Sequence, residues 1–221
     1  MLNDVDILKD YCHVDDLWIY DKFIIARKLG YICGPVGVDV PTRNNYIVRP
    51  VINPLGMGRG AKIVRLTRST NHLPLGHFWC EVFEGRHYSV DYYCEEQVLC
   101  VEGIRDDPKQ PLYRFDQWRR VDHQIKFPNL LKRLTDFYPC INCEFIGDKL
   151  IEIHLRSNPD FVEDDDVIYP VWNDEPISPP EGMIFVSSYD YKRVGFYKHE
   201  RSSQHLSSVS RGQPEQVLEH S

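Results

Sequence analysis

A glycine-rich loop between two short apolar segments limits this chain's fold more than any other feature. Tyr46-Ile47-Val48-Arg49-Pro50-Val51 reads as a strand. Asn53-Pro54-Leu55-Gly56-Met57-Gly58-Arg59-Gly60 follows, and residues 61–66 read as a second strand. A dinucleotide-binding turn needs a helix after its glycines, and a P-loop needs Lys-Ser/Thr at fixed spacing. Neither is present, so the loop joins strand to strand. Such a hairpin can fold over a triphosphate, because residues without Cβ let backbone N–H groups approach the oxygens. A plain glycine-rich turn fits the same residues at least as well.

The flanking pattern mixes helix and strand without strict alternation, which predicts an α+β fold. Residues 15–29 read as a helix capped by Asp15 or Asp16 and stopped by Gly30. Residues 78–83 and 88–93 read as strands around Glu84-Gly85-Arg86, a hairpin or tight connection. A short amphipathic helix is expected over 128–137. A strand pair over 141–145 and 149–155 turns at Gly147-Asp148. The acidic, proline-rich stretch 160–180 reads mostly as loop, and 183–188 with 193–199 as a final hairpin. From about residue 200 onward the chain is rich in Ser, Gln, His and Glu, which predicts a disordered tail.

Two groups of charged residues carry the chemistry. Lys22 lies on the first helix, and Arg49 ends the strand that feeds the glycine loop. A guanidinium there can pair phosphate oxygens in a bidentate fork, with Lys22 adding a point charge. Two surface charges are the plainer alternative. Further on, Glu152, His154 and Arg156 alternate with Ile151, Ile153 and Leu155, so period two puts the polar trio on one face. Glu144, on the preceding strand, can join them. Two carboxylates on neighbouring strands suit Mg²⁺, which takes hard oxygen ligands and shares itself with phosphates. A solvated outer face is the alternative, although the reverse side is as apolar as a core strand.

Composition narrows the classes. A chain of 221 residues with 42% hydrophobic residues can bury one sizeable domain or a two-lobed one. Its net charge of -7, with no long basic run, argues against nucleic-acid and membrane surfaces. No apolar run approaches the roughly 18 residues that span a bilayer. The acidic patches Asp164-Asp165-Asp166, Glu95-Glu96 and Asp106-Asp107 read as solvated loops. Seven cysteines, an odd number, suggest reduced thiols and a cytoplasmic setting. Cys140 and Cys143 have no second CxxC and no nearby His, so they read as thiols on a buried strand. The aromatics of 88–93 and 115–118, with Arg119-Arg120, could line an acceptor pocket, although core packing is their commoner use.

Taken in order, these segments resemble the ATP-grasp superfamily, over about Asp21 to Asn158. Asp21-Lys22 with the later Gly30…Pro41 passage resembles the family's opening, and Tyr46–Pro50 its phosphate-binding strand, with Arg49 as in the carbamoyl-phosphate-synthetase branch. Gly56, Gly58 and Gly60 stand where its mobile loop lies. Cys80 to Asp91 is similar to the hinge that holds adenine and ribose. Glu81, Val82 and Phe83 would then offer backbone groups to the base. His87 would sit at the ribose, as in the biotin-carboxylase branch. Glu144, Glu152, His154 and Arg156 match the metal-binding strands, with His154 where Asn is usual, so that either the second metal site is altered or Asn158 substitutes.

The resemblance implies two α+β lobes whose antiparallel sheets clasp a nucleotide. The domain would span 1–199, with a small lobe of about 20–80, a large lobe of about 81–199, and a tail over 200–221. It implies ATP and Mg²⁺ as cofactors, with Glu144, Glu152, His154 and Asn158 as candidate metal ligands. Lys22, Arg49 and Arg156 are the candidate catalytic residues. The implied activity is ligation: a small-molecule or peptide carboxylate activated as an acyl phosphate for attack by an amine or thiol. The near absence of chain before Lys22, where relatives carry a further domain, leads to the expectation of a minimal member. Its acceptor site would come from the C-terminal third, from a protein partner, or from nothing at all. A non-catalytic nucleotide sensor or assembly protein, and a small-molecule kinase, are the alternatives.

Overall fold

The computed structural model describes residues 4–52, 57–162 and 165–200. Gly56, Asp164 and the expected tail from 201 onward lie outside them. The described chain is α+β: two antiparallel sheets with few helices. Four strands form the first sheet: β1 (Cys33–Pro35), β2 (Asn44–Pro50), β3 (Lys62–Leu66) and β4 (His77–Glu81). They run in the order β1-β4-β2-β3. The second sheet takes β5 (His87–Tyr93), β6 (Glu96–Ile104), β7 (Gln117–Arg120), β8 (Cys140–Ile146), β9 (Lys149–His154), β10 (Val167–Trp172), β11 (Met183–Asp190) and β12 (Arg193–His199). Its order is β11-β12-β10-β7-β6-β5-β8-β9.

Period-two patterning decides what each sheet face carries. On β5, Tyr88, Val90 and Tyr92 point into the main core, as do Ile141, Cys143 and Phe145 on β8. Helix α1 (Asp4–Asp10) brings Ile7 to that core. The 3₁₀ turn Val14–Tyr20 brings Ile19, and a second, Asn129–Leu134, brings Leu131 and Leu134. The opposite face carries the polar residues that reach the cleft. In the smaller sheet, Tyr46, Val48 and Trp79 are packed outward with Leu66. Residues 47, 49 and 80 face the larger sheet.

Several expectations change. The helix expected over 15–29 breaks at Asp21. There the 3₁₀ turn ends and α2 (Lys22–Lys28) begins, with Asp21 Oδ1 accepting from Ile24 N at 2.7 Å. Residues 78–83 and 88–93 are not a hairpin: β4 belongs to one sheet and β5 to the other, so 82–86 links the sheets. Gly85 fits this link because its φ is +131° and a Cβ there would stand 2.9 Å from the Gly147 backbone. Strand β10 falls inside the stretch read as loop. Pro170 demotes such a segment in sequence, yet β7 pairs only with Val167 and Ile168, so beyond them β10 is an edge where proline is tolerated. The pairs β8–β9 and β11–β12 match their expected hairpins. Cys140 and Cys143 both lie on β8, three residues apart and thus on opposite faces, a spacing that stops them chelating one ion. No helix among the described residues is long and apolar enough to cross a membrane.

Candidate functional site

A cavity of about 340 Å³ lies between the sheets. Strand register builds its floor. Ser89, Glu144 and Glu152 share one cross-strand row, and Asp91, Asn142 and His154 share the next. A register shift between Glu144 and Phe145 leaves Ile151 as an extra residue on β9. Ile151 and Glu152 can therefore both face the cavity while Leu150 and Ile153 stay in the core.

The polar groups on this floor form a chain of opposite charges. Lys22, the first residue of α2, places Nζ 2.6 Å from Glu152 Oε2, with the two side chains only 6% and 10% exposed. His87 Nε2 lies 3.2 Å from Glu144 Oε2. His154 Nδ1 lies 2.9 Å from Asp4 Oδ2, and its Nε2 stands 3.9 Å from both Glu144 Oε1 and Glu152 Oε1. Arg156 Nη2 donates to the same Asp4 oxygen at 2.6 Å. Burial, the largest influence on His154, pushes its pKa down, but the carboxylates Asp4, Glu144 and Glu152 outweigh it and raise it to about 10. Burial likewise works against ionisation of Glu144, yet His154 and His87 hold its carboxyl well below the usual range. At neutral pH this is an imidazolium between carboxylates.

A pH dependence follows. The folded-state pKa of His154 exceeds its ordinary 6.5, so its stabilising contribution is whole below about pH 6.5 and is lost as pH rises through about 10. Between pH 6.5 and 9, below the ordinary thiol value of 9.0, wild-type unfolding free energy should fall by up to ~1.4 kcal/mol per pH unit. Urea titrations of wild type and His154→Gln across that window test this. An equal slope in the variant would refute the assignment.

Arg49 differs from its neighbours. Its Nη2 donates to Ile151 O at 3.2 Å and its guanidinium sits 5.3 Å from the centre of the Phe78 ring. Its Nε is buried without a hydrogen-bond partner. Among the described residues no carboxylate lies within ion-pair distance of it. The cleft therefore holds a half-buried cation with unused donors.

The cleft gathers most of the residues singled out in sequence. Lys22, Arg49, Gly58, His87, Arg156 and Asn158 line it, with the two glutamates and His154. So do Glu81, Val82 and Phe83, although the Glu81 N–H is already given to Ile32 O at 2.9 Å. Its carboxylate accepts from Ile32 N at 2.8 Å. Backbone groups for a ligand would thus come from Val82 and Phe83. Gly60 packs against Pro50 and is not in the lining. Asn158 Oδ1 accepts from Asp160 N, and its Nδ2 donates to Ser89. Phe115 and Trp118 line the cleft, while Arg119 is turned to Glu102 at 2.8 Å and Arg120 to the Val162 and Asp165 carbonyls. Asp4, Arg105, Tyr113, Trp172 and Asp190 were not legible as site residues. Asp4 is 150 positions from His154, and no local pattern announces such a pairing.

Two carboxylates facing each other fit a Mg²⁺ shared with phosphates. Glu144 Oε2 is taken by His87 and Glu152 Oε2 by Lys22, while the two Oε1 atoms have His154 Nε2 at 3.9 Å, and hard oxygens are what the ion takes. His154, protonated, has no lone pair to add. Among the described residues no group of three His, Cys, Asp or Glu side chains is arranged to hold a metal unaided.

No family model matches the chain, and no curated protein sequence matches it. Solved structures do match. The chain is similar to ATP-grasp proteins. An ATP-grasp superfamily protein from Archaeoglobus fulgidus aligns at TM-score 0.45 and 16% identity, over 82% of this chain and 64% of that one. N5-carboxyaminoimidazole ribonucleotide synthetase from Thermus thermophilus aligns at 0.49 and 12%, over 83% and 68%. D-alanine–D-alanine ligase from Bacillus anthracis, solved with ATP, aligns at 0.32 and 13%, over 62% and 55%. Against the first and third, this chain spans less than two thirds of the matched length.

Proposed function

We propose that the cleft binds Mg-ATP and that the chain is an ATP-dependent ligase acting on a carboxylate. The observation that carries this reading is Arg49, a guanidinium with no ion-pair partner among the described residues, lining the same cavity as Gly58 and the cross-strand carboxylate pair Glu144–Glu152. An anion with its own counter-cation would satisfy both sides at once. Mg²⁺, held by Glu144 and Glu152, would neutralise phosphate charge. Arg49 and the Gly58 loop would hold the phosphates, with Lys22 fixed on Glu152 to keep that carboxylate aimed.

A substrate carboxylate oxygen then attacks the γ-phosphorus, and the bond to the β-bridging oxygen breaks with its electron pair leaving on ADP. An amine or thiol attacks the acyl carbon, the bond to phosphate breaks, and the nucleophile's proton is lost to solvent or base. Arg156, braced by Asp4, would stabilise the acyl phosphate. No covalent enzyme nucleophile is needed.

One observation favours a non-catalytic alternative: the His154 imidazolium already occupies a cationic position 3.9 Å from both carboxylates. Thermal unfolding with ATP, Mg-ATP and GTP is the test. A ligand that binds only the native state, at a hundredfold its Kd, adds ~2.7 kcal/mol. A rise in Tm that needs both ATP and Mg²⁺ supports the cleft, and no shift with any nucleotide would overturn it. ADP plus a new amide or thioester identifies the ligase. ADP plus a phosphorylated acceptor would mean a kinase, and binding without turnover a sensor.

A further inference from the structure

Two strands, β5 and β6, separate the carboxylate floor from a second wall built of rings. Phe115 and Trp118 meet at 4.5 Å between centroids, and His87 stands edge-on to both, at 5.0 and 5.4 Å. His87 therefore touches this wall on one side and Glu144 on the other. Tyr113 adds a ring against Trp172 at 5.7 Å, and Trp172 Nε1 donates to Phe115 O. Phe115 and Trp172 are buried behind, while Tyr113 and Trp118 are half-exposed towards the cavity. The strand beneath makes room for them. At Gly103 of β6 a Cβ would stand 2.7 Å from the Phe115 ring and 2.9 Å from Trp118.

Beside the rings is a cation without a partner. Arg105 follows β6, lines the same cavity, and holds its guanidinium 5.1 Å over the Phe115 ring. Among the described residues it makes no hydrogen bond or ion pair. Asp116, the carboxylate whose charge acts on it, has its Oδ2 taken by Asp106 N at 2.6 Å and Gln110 Nε2 at 2.8 Å. A planar guanidinium stacked on a ring keeps its edge donors free for a carboxylate. Rings with a free cation beside them suit a flat apolar body that bears an acid.

We propose that this wall is the acid-substrate subsite, and that it takes a carboxylic acid with an aromatic body, the ring against Tyr113 and Trp118 and the anionic group on Arg105. The substrate role rests on the ligase reading above; the binding itself does not.

Calorimetric titration with 3-phenylpropanoate, its neutral amide and butyrate separates ring from charge. The acid should bind wild type at least tenfold more tightly than either analogue. Arg105→Gln should weaken the acid about tenfold and leave the amide unchanged, while the variant's Mg-ATP thermal shift stays that of wild type. Arg105→Lys, which keeps the charge without the fork, should fall between and serves if the glutamine variant does not fold. Trp118→Leu should weaken acid and amide alike. Equal binding of acid and amide, no binding of any of the three, or an unchanged acid affinity in Arg105→Gln would overturn the proposal. Competition by adenosine would also overturn it, by making the wall a base pocket. Arg105-dependent acid binding in a protein that Mg-ATP fails to stabilise would support the subsite while removing the ligase reading.

Discussion

Glu152→Ala is expected to destabilise the fold by about 3–5 kcal/mol and to abolish Mg-dependent nucleotide binding. The first effect comes from what is left behind. The Lys22 ammonium is 6% exposed and its ion-pair partner is Glu152, at 2.6 Å. Removing the carboxylate strands a buried charge, and that costs more than the pair contributes. The second effect belongs to Glu152 itself, as half of the carboxylate pair. The two are separable. A Lys22→Met, Glu152→Leu double variant removes both charges and refills the volume, so it should recover most of the lost stability in urea unfolding. It should still show no Mg-dependent response to ATP. Wild-type nucleotide binding in the folded double variant would show that Glu152 has only a structural role.

Arg49→Ala is expected to weaken ATP roughly 10- to 100-fold and adenosine hardly at all. A charge-assisted hydrogen bond contributes about 1.5–3 kcal/mol, and each 1.4 kcal/mol is tenfold in affinity. Stability should fall by only about 1–2 kcal/mol, because the variant loses the hydrogen bond to Ile151 O and the contact with the Phe78 ring but, among the described residues, no ion pair. Lys22 and Arg49 look alike in sequence, each a cation near the glycine loop, yet they should behave oppositely: one holds the fold, the other the ligand. Titration calorimetry with both ligands decides it. Equal loss for ATP and adenosine would make Arg49 a packing residue.

The comparison of Lys22 with Arg49 also shows where sequence reading stops. Alternation was enough to put Glu152 and His154 on one face, but it set Ile151 on the other, and the register shift turns it to the cavity instead. A two-residue turn alone would match Glu144 to Ile151; the register shift between Glu144 and Phe145 is what moves the match to Glu152. Residues whose partners are close in sequence were therefore legible only in part. What those side chains touch was not. Asp4 sits on a helix that drew no notice, and its role exists only because α1 docks beside β9, where no local pattern reaches. Strand β6 was missed for a different reason. Cys100, Val101 and Glu102 are buried in succession, so no alternation marks it, and Glu102 is inside because Arg86 and Arg119 meet it there. The aromatics of 115–118 were legible as a possible pocket lining, but their seat over Gly103 was not, because a missing side chain says nothing in one dimension about what fills its place.

The Asp4 contacts have a consequence for how the molecule comes into being. Asp4 pairs with His154 and Arg156, 150 and 152 positions along the chain. A ribosome delivers Asp4 long before either partner emerges. Until then its carboxylate must stay hydrated, so α1 cannot settle in its native seat with that group sealed from water. The closing of this long loop seats the helix and fixes the imidazolium together. The charged floor of the cleft therefore reaches its final arrangement only once residues as far as Arg156 have been made.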